Sequence, residues 1–349
     1  MRRSLVALSL IVVASSAIAA GPYALTDLGL MGGAYSLHTA GANGPQSTGY
    51  FDSGAGSHAF YRHGSSSTDL GTLGGSYSVG YGVNSLGQVV GQSSLADNTP
   101  QAFYYDGTMH HLSFLSNGYA SAFAINDSGI IVGQEGSLGF VATSTGLITN
   151  MGFGNGYDTA LAVNASGIVA GFGATPDLHV GLGPNHAWYW DGTLHDIGTL
   201  IPGGYSGARS ISDGGHIVGF ADSTGGQRGF IWNGSMTQLD PVTGDIQCEA
   251  WGVNSSGLAV GSSTQASFQN RATLWEAGTA FDLNGLLTGP TGGLFVHDAR
   301  SISNSGLIFG TAKDSLGRDH AVILTPVPEP GTWFALGLGG IALLKRRRA

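Results

Sequence analysis

The chain has 349 residues, of which 60 are glycine and only 10% are charged. Its mean hydropathy is mildly positive, which argues against a disordered chain and favours a turn-rich all-β protein with a sizeable core. Without its two terminal segments the chain keeps 7 basic and 21 acidic residues, and this net charge of −14 argues against nucleic acid and anionic membranes as partners.

Residues 1–19 have the pattern of a secretory signal peptide. Arg2 and Arg3 precede an apolar run that ends in the small-residue pattern Ala17, Ile18, Ala19. The run is shorter than the roughly 20 residues that a membrane-spanning helix needs. We therefore expect an exported protein whose mature chain begins near Ala20.

A short motif recurs along the rest of the chain, as in "VNSLGQVVG" from Val83 and "INDSGIIVG" from Ile125. Its first glycine stands at six positions: Gly87, Gly129, Gly167, Gly215, Gly257 and Gly306. A seventh, degenerate copy lies at Ala42 to Gly49. A period of this length is typical of solenoids and propellers.

Each repeat reads as four strands, A to D. The Asn-x-x-Gly motif predicts a tight turn between strands A and B, with glycine in a left-handed conformation. A second signature such as "HAWYWDG" from His186 predicts strand C, and its Asp191-Gly192 pair predicts a hairpin to strand D. Small residues stand two and four positions before each Asn-x-x-Gly turn, and they would allow the A strands to crowd around an axis.

These patterns predict a seven-bladed β-propeller of four-stranded antiparallel blades over residues 20–326. The last repeat stops after strand C, at His320 to Thr325, and the segment Tyr23 to Gly33 matches the missing strand D. We therefore expect the N-terminal strand to pair into the last blade and close the ring, which would leave no exposed sheet edge.

The recurring Asn-x-x-Gly-x-Ile-Val-Gly, His-Ala-Phe and Asp-Leu-Gly-Thr-Leu-Gly motifs resemble the HAF-type extracellular repeats. The resemblance spans most of the mature chain, but the copy at Ala42 to Gly49 departs at the Asn-x-x-Gly turn, and the last two repeats have Thr273 and Val322 in place of the phenylalanine. It implies an exported location and no defined reaction.

Candidate binding residues stand in the D to A loops. These loops share a face with the B to C loops, where length variation collects, and repeat proteins usually bind through such a face. Five of the loops carry a tyrosine: Tyr35, Tyr77, Tyr119, Tyr157 and Tyr205. They are interpreted either as a rim for sugar or peptide or as side chains packed between neighbouring blades.

Candidate catalytic residues are three acids near the starts of A strands, Asp158, Glu249 and Asp298. A pair of carboxylates near the channel mouth would suit glycoside cleavage. No metal site is predicted, because the recurrent histidines occupy equivalent places in different blades and would lie far apart. The sequence also contains no nucleophile elbow or phosphate loop, and we expect no cofactor.

Residues 327–349 contain Pro328, Glu329 and Pro330, a short apolar run, and a basic tail. The tail includes Arg346, Arg347 and Arg348. The segment resembles the PEP-CTERM sorting signal of exported proteins in Gram-negative bacteria. That resemblance implies transient inner-membrane anchoring by a short helix, processing by an exosortase-type protease, and release to the envelope or extracellular matrix.

Two functions are consistent with these features. The one we favour is an exported, non-enzymatic propeller that binds or scaffolds envelope or matrix material, with polysaccharide as the first ligand to consider. The alternative is a polysaccharide hydrolase or lyase that uses the acidic residues at the loop-rich face. No motif in the sequence decides whether the protein is an enzyme, and fold alone does not fix function.

Overall fold

A computed structural model describes residues 21–29, 37–43, 46–54, 56–115, 118–151, 158–173 and 184–327. These residues form 29 β-strands, a 3-10 turn at Leu283–Leu286 and no α-helix, so the predicted all-β class is confirmed.

Four-stranded units follow one another along the chain after an initial strand, β1 (Tyr23–Gly29). Unit one comprises β2 (Leu37–Asn43), β3 (Gln46–Asp52), β4 (Ser57–His63) and β5 (Ser66–Gly71). Unit two comprises β6 (Gly74–Val83), β7 (Val89–Leu95), β8 (Pro100–Tyr105) and β9 (Met109–His111). Unit three comprises β10 (Ala120–Ile125), β11 (Ile131–Glu135), β12 (Leu138–Thr143) and β13 (Gly146–Met151). Unit four comprises β14 (Thr159–Val163), β15 (Val169–Gly173), β16 (His186–Trp190) and β17 (Leu194–Gly198).

The remaining units follow the same plan. Unit five comprises β18 (Ser206–Ile211), β19 (Ile217–Ser223), β20 (Gly226–Trp232) and β21 (Met236–Leu239). Unit six comprises β22 (Gln247–Val253), β23 (Ala259–Thr264), β24 (Asn270–Glu276) and β25 (Thr279–Asp282). The last strands are β26 (Leu287–Thr288), β27 (Phe295–Ile302), β28 (Ile308–Lys313) and β29 (Asp319–Pro326).

Strands within each unit pair antiparallel in chain order. The last sheet differs, because β1 pairs antiparallel with β29 and stands fourth after β27, β28 and β29, and the short β26 pairs parallel with β1 as a fifth strand. Tyr23 lies opposite Pro326 in this pairing, and the Val327 N–H donates to the Pro22 carbonyl over 2.8 Å. The two ends of the described chain therefore lie side by side in one sheet, which we call unit seven.

The first strand of every unit contacts the first strand of the next, and β2 also contacts β27. Small residues permit this close approach, as the sequence predicted. A Cβ atom on Gly82 would lie 2.8 Å from the Phe123 carbonyl oxygen, and one on Gly252 would lie 2.8 Å from the Ser301 Cα. Much of the apolar core lies between neighbouring sheets, as where Val141 of unit three packs with Trp188 of unit four.

The Asn-x-x-Gly turn connects neighbouring units as well as neighbouring strands. The buried Asn126 Oδ1 accepts the N–H groups of Ser128 and Ile130, over 3.0 and 2.9 Å, within its own turn. Its Nδ2 donates to the Asn164 carbonyl of the next unit over 2.9 Å. The side-chain amides of three further residues donate the same kind of bond to a carbonyl of the next unit: Asn84, Asn164 and Asn254. In unit five Ser212 keeps a bond within the turn, to the His216 N–H.

Substitution of Asn126 tests this connection. We expect Asn126→Ala to lower the free energy of unfolding by about 2–3 kcal/mol, because it removes three backbone hydrogen bonds made by a buried side chain. Asn126→Ser should lose less, because a serine hydroxyl in this turn accepts a backbone N–H, as Ser212 does. Urea unfolding followed by tryptophan fluorescence measures both variants. Equal losses in the two variants would show that the retained bond within the turn contributes nothing measurable.

The recurrent histidines pair with aspartates of the neighbouring strand D. His58 Nδ1 lies 3.0 Å from Asp69, and His186 Nδ1 lies 2.9 Å from Asp196. In unit seven the same pair joins the chain ends, since His320 Nδ1 lies 3.1 Å from Asp27 of β1. The His-Ala-Phe and Asp-Leu-Gly motifs are thus connected by a cross-strand contact.

Candidate functional site

Every first strand carries a β-bulge three residues before its turn. In unit three, Ala122 pairs with Gly133 and Ala124 pairs with Val132, so Phe123 is the extra residue. A bulge of this kind re-aims the side chain of the extra residue. Six extra residues have described side chains: Tyr81, Phe123, Leu161, Arg209, Trp251 and Arg300.

All six bulge side chains line one cavity of about 540 Å³. The lining continues along the first strands of units two to seven, and in units four to seven it reaches the A to B turns, where it includes Asn164, Asp213 and Asn304. The cavity is therefore surrounded by the innermost strands, and its volume lies in the range of small-ligand sites.

The wall of this cavity contains a stacked group formed by Arg209, Trp251 and Arg300, one from each of three successive units. The Arg209 guanidinium carbon lies 4.6 Å from the centroid of the Trp251 ring, and that of Arg300 lies 4.2 Å from it. Arg209 also lies 5.0 Å from the Phe220 ring. Cation–π contacts of this kind hold the guanidinium groups in place.

Two of the predicted catalytic acids engage these arginines. The Arg209 Nε donates to Glu249 Oε1 over 2.6 Å, and the Arg300 guanidinium lies 2.5 Å from Asp298 Oδ2. Burial raises the pKa of the Asp298 carboxyl, and the nearby Arg300 opposes that shift only in part. Glu249 and Asp298 occupy equivalent positions of units six and seven, each two residues before a bulge.

The third predicted acid, Asp158, faces the preceding unit. It is fully buried, and its backbone N–H donates to Ser137 of unit three over 2.9 Å. Its register matches that of Ser78 and Cys248, whose side chains accept N–H groups from the unit before them. Burial raises the pKa of the Cys248 thiol to about 11. Asp158 faces unit three, whereas Glu249 and Asp298 contact arginines of the cavity wall, so the structure does not bring the three acids together.

The loop tyrosines have different environments. Tyr77 is half-buried and donates to Gln92 Oε1 over 2.8 Å, whereas Tyr119 and Tyr205 are 52% and 54% exposed. Burial, together with the nearby Tyr119 and Tyr77 hydroxyls, raises the pKa of Tyr81 to about 12. Tyr35 and Tyr157 lie outside the described residues.

Sequence reasoning missed the bulge residues. The signal was present in the sequence, because each bulge residue stands between two small residues, as in Gly80-Tyr81-Gly82 and Ala250-Trp251-Gly252. Among the described residues no three His, Cys, Asp or Glu side chains are arranged to hold a metal ion.

The C-terminal prediction is confirmed by a match to the PEP-CTERM protein-sorting motif over residues 326–348. No curated protein matches the chain in sequence. The residues predicted as the sorting signal, from Pro328 to Arg348, and the predicted signal peptide lie outside the described residues. Within residues 21–327, as far as the structure describes them, no helix has the length and apolar character to cross a membrane.

Several solved structures resemble the fold at low sequence identity. A streptogramin B lyase has a TM-score of 0.53 and 10% identity, over 87% of this chain and 98% of that one. The β-propeller domain of the Trilobed protease from Pyrococcus furiosus has a TM-score of 0.41 and 11% identity, over 75% and 98% of the two chains. A lectin from Aleuria aurantia has a TM-score of 0.38 and 13% identity, over 89% and 97%. The chain thus combines a propeller fold with the sorting motif of exported proteins.

Proposed function

We propose that this protein is an exported, C-terminally sorted propeller that binds polysaccharide of the cell envelope or extracellular matrix without cleaving it. The proposal includes a signal peptide at residues 1–19, HAF-type repeats, a short membrane helix, exosortase-type processing near Pro330 and a Gram-negative host. The PEP-CTERM match supports the export and processing steps.

The proposal also includes seven blades and a closed ring. It is supported by the pairing of β1 with β29 and by the contact between the first strands of units one and seven. A closed ring would hold the six bulge side chains at one level around an axis, and such a rigid frame favours a preorganised site.

One observation carries the binding function, namely the cavity lined by aromatic and guanidinium side chains at the same position of successive units. Ligand sites commonly combine apolar walls with a few fixed polar groups. The tyrosines of the D to A loops, Tyr77, Tyr119 and Tyr205 among them, are proposed as secondary contacts at the opposite face.

A hydrolase or lyase is the second candidate, because burial raises the pKa of the Asp298 carboxyl and a raised carboxyl pKa is typical of general acids. Against it, Asp158 lies away from the cavity, and the carboxylates of Glu249 and Asp298 are each bound by an arginine.

A single panel experiment separates the two candidates. The full-length chain is incubated with envelope and matrix polysaccharides, and both retention and the release of new reducing or unsaturated ends are measured. We expect retention of at least one polysaccharide with no release of new ends. Cleavage that disappears in Asp298→Asn would establish the enzyme instead, and an absence of both retention and cleavage would refute both candidates.

A further inference from the structure

Basic residues are scarce in this protein, and two of them meet in the cavity. Only 7 Lys or Arg residues lie between residues 20 and 326, against 21 Asp or Glu residues. Arg209 and Arg300 both line the cavity, and Asp213 is the single acid among its described lining residues. The Asp213 carboxylate already accepts the Ala165 N–H over 2.8 Å. The cavity lining therefore holds two of the few basic residues of the protein, and Glu249 and Asp298 balance their charges from outside the described lining.

The guanidinium groups of Arg209 and Arg300 are held in place, and each still has N–H donors that can bind a ligand. A guanidinium carries five N–H donors in a planar fork. Arg209 donates its Nε to Glu249, and Arg300 contacts Asp298 through one terminal nitrogen. Their other N–H groups have no protein acceptor among the described residues. Because Trp251 stacks with both side chains, the forks are preorganised to bind an anion.

The partner carboxylates do not line the cavity. Glu249 and Asp298 stand two residues before the bulges and are absent from the described lining. Burial raises the pKa of the Asp298 carboxyl, and the contact with Arg300 opposes that shift. Each arginine is therefore paired with a carboxylate outside the described lining, and its remaining N–H donors are available to a ligand in the cavity.

We propose that the cavity binds the carboxylate of an acidic saccharide, a uronate residue, through Arg209 and Arg300. This inference rests on the proposed polysaccharide-binding function and names its ligand class. A guanidinium fork matches a carboxylate in geometry. The Tyr81 and Phe123 rings, 5.4 Å apart, offer flat apolar surfaces to the C–H faces of a sugar ring. The exposed Asn304, in the unit-seven turn at the far end of the lining, suits its hydroxyl groups.

Isothermal titration of the full-length chain with uronate oligosaccharides tests the proposal. The reference ligands are the same oligosaccharides with each carboxyl group reduced to an alcohol, and an acidic peptide of equal charge. We expect the uronate to bind more tightly than the reduced sugar. Arg209→Gln and Arg300→Gln should each weaken uronate binding about tenfold or more, because each removes a charge-assisted hydrogen-bonding group.

Two further variants control for damage to the fold. Arg318→Gln removes an exposed arginine that pairs with Asp314 away from the cavity, and it should leave uronate affinity unchanged. Arg300→Lys keeps the charge but loses the fork, and it should bind the uronate with intermediate affinity. If either glutamine variant fails to fold, the lysine variant gives the decisive comparison.

The outcomes separate this inference from the function it rests on. Equal binding of uronate and reduced sugar, or uronate binding unchanged by Arg300→Gln or Arg300→Lys, overturns the uronate site while polysaccharide binding stands. Binding of the acidic peptide alone also overturns it. Binding of no saccharide at all overturns both proposals.

Discussion

Replacing Tyr23 by alanine is expected to lower the free energy of unfolding by about 3–5 kcal/mol, the usual cost of removing a large buried ring. Tyr23 is fully buried in β1, in a core cluster that includes Val296 and Leu324 of the last sheet. The substitution should therefore destabilise the sheet in which the two chain ends meet. Equilibrium unfolding in urea, followed by tryptophan fluorescence, measures the loss.

Thr26→Ala is the matched control for this experiment, because Thr26 lies on the same strand with an exposed side chain. It should change the free energy of unfolding by less than about 0.5 kcal/mol. A loss below about 1 kcal/mol for Tyr23→Ala would mean that β1 contributes little, and the proposed ring closure would then have to be abandoned.

The pairing of β1 with β29 limits where the C-terminal segment can be cut without destabilising the last sheet. Pro22 and Val327 share a backbone hydrogen bond, so the first described residues and the start of the sorting motif lie at the same corner of one sheet. A cut near Pro330 would leave β29 whole, whereas a cut a few residues earlier would remove part of the strand that holds β1. Processing on the C-terminal side of Val327 is thus compatible with an intact last sheet.

The repeating part of the fold could be predicted from the sequence because it depends on local chemistry. Asn84 and Gly87 define a turn through their own backbone and side-chain preferences, and the match of Tyr23 to Gly33 with strand D placed β1 beside β29. These signals involve residues that are close in sequence or repeated at a fixed period, so they can be recognised in one amino-acid sequence.

The cavity could not be predicted in the same way. A bulge shifts the strand register, and a shift of one residue moves a side chain to the other face of the sheet. Without the bulge positions, Asp158 and Glu249 looked alike as acids near strand starts, although one faces the neighbouring unit and the other an arginine. The stacking of Arg209 and Arg300 on Trp251 joins residues of three units, and no local pattern encodes it.

The glycine that ends each Ile-Val-Gly motif packs against the backbone of the first strand, and replacing it is expected to destabilise the protein strongly. A Cβ atom on Gly133 of β11 would collide with the Ser121 carbonyl oxygen and would lie 2.7 Å from two ring carbons of Phe140. Six glycines have this environment, each facing a carbonyl of its own first strand: Gly91, Gly133, Gly171, Gly219, Gly261 and Gly310. The motif therefore requires glycine in the second strand because the backbone of the first strand passes so close to it.

We expect Gly133→Ala to lower the free energy of unfolding by about 3 kcal/mol, at the upper end for overpacking, because a backbone oxygen can move only with its strand. Gly146→Ala in the same sheet is the matched control. A Cβ atom there would meet no atom within 4 Å, so this variant should be neutral or more stable by up to about 1 kcal/mol. Thermal and urea unfolding compare the two. If both variants unfold like the parent chain, the strands are not packed as closely as this structure places them, and the bulges that aim Arg209 and Trp251 into the cavity lose their support.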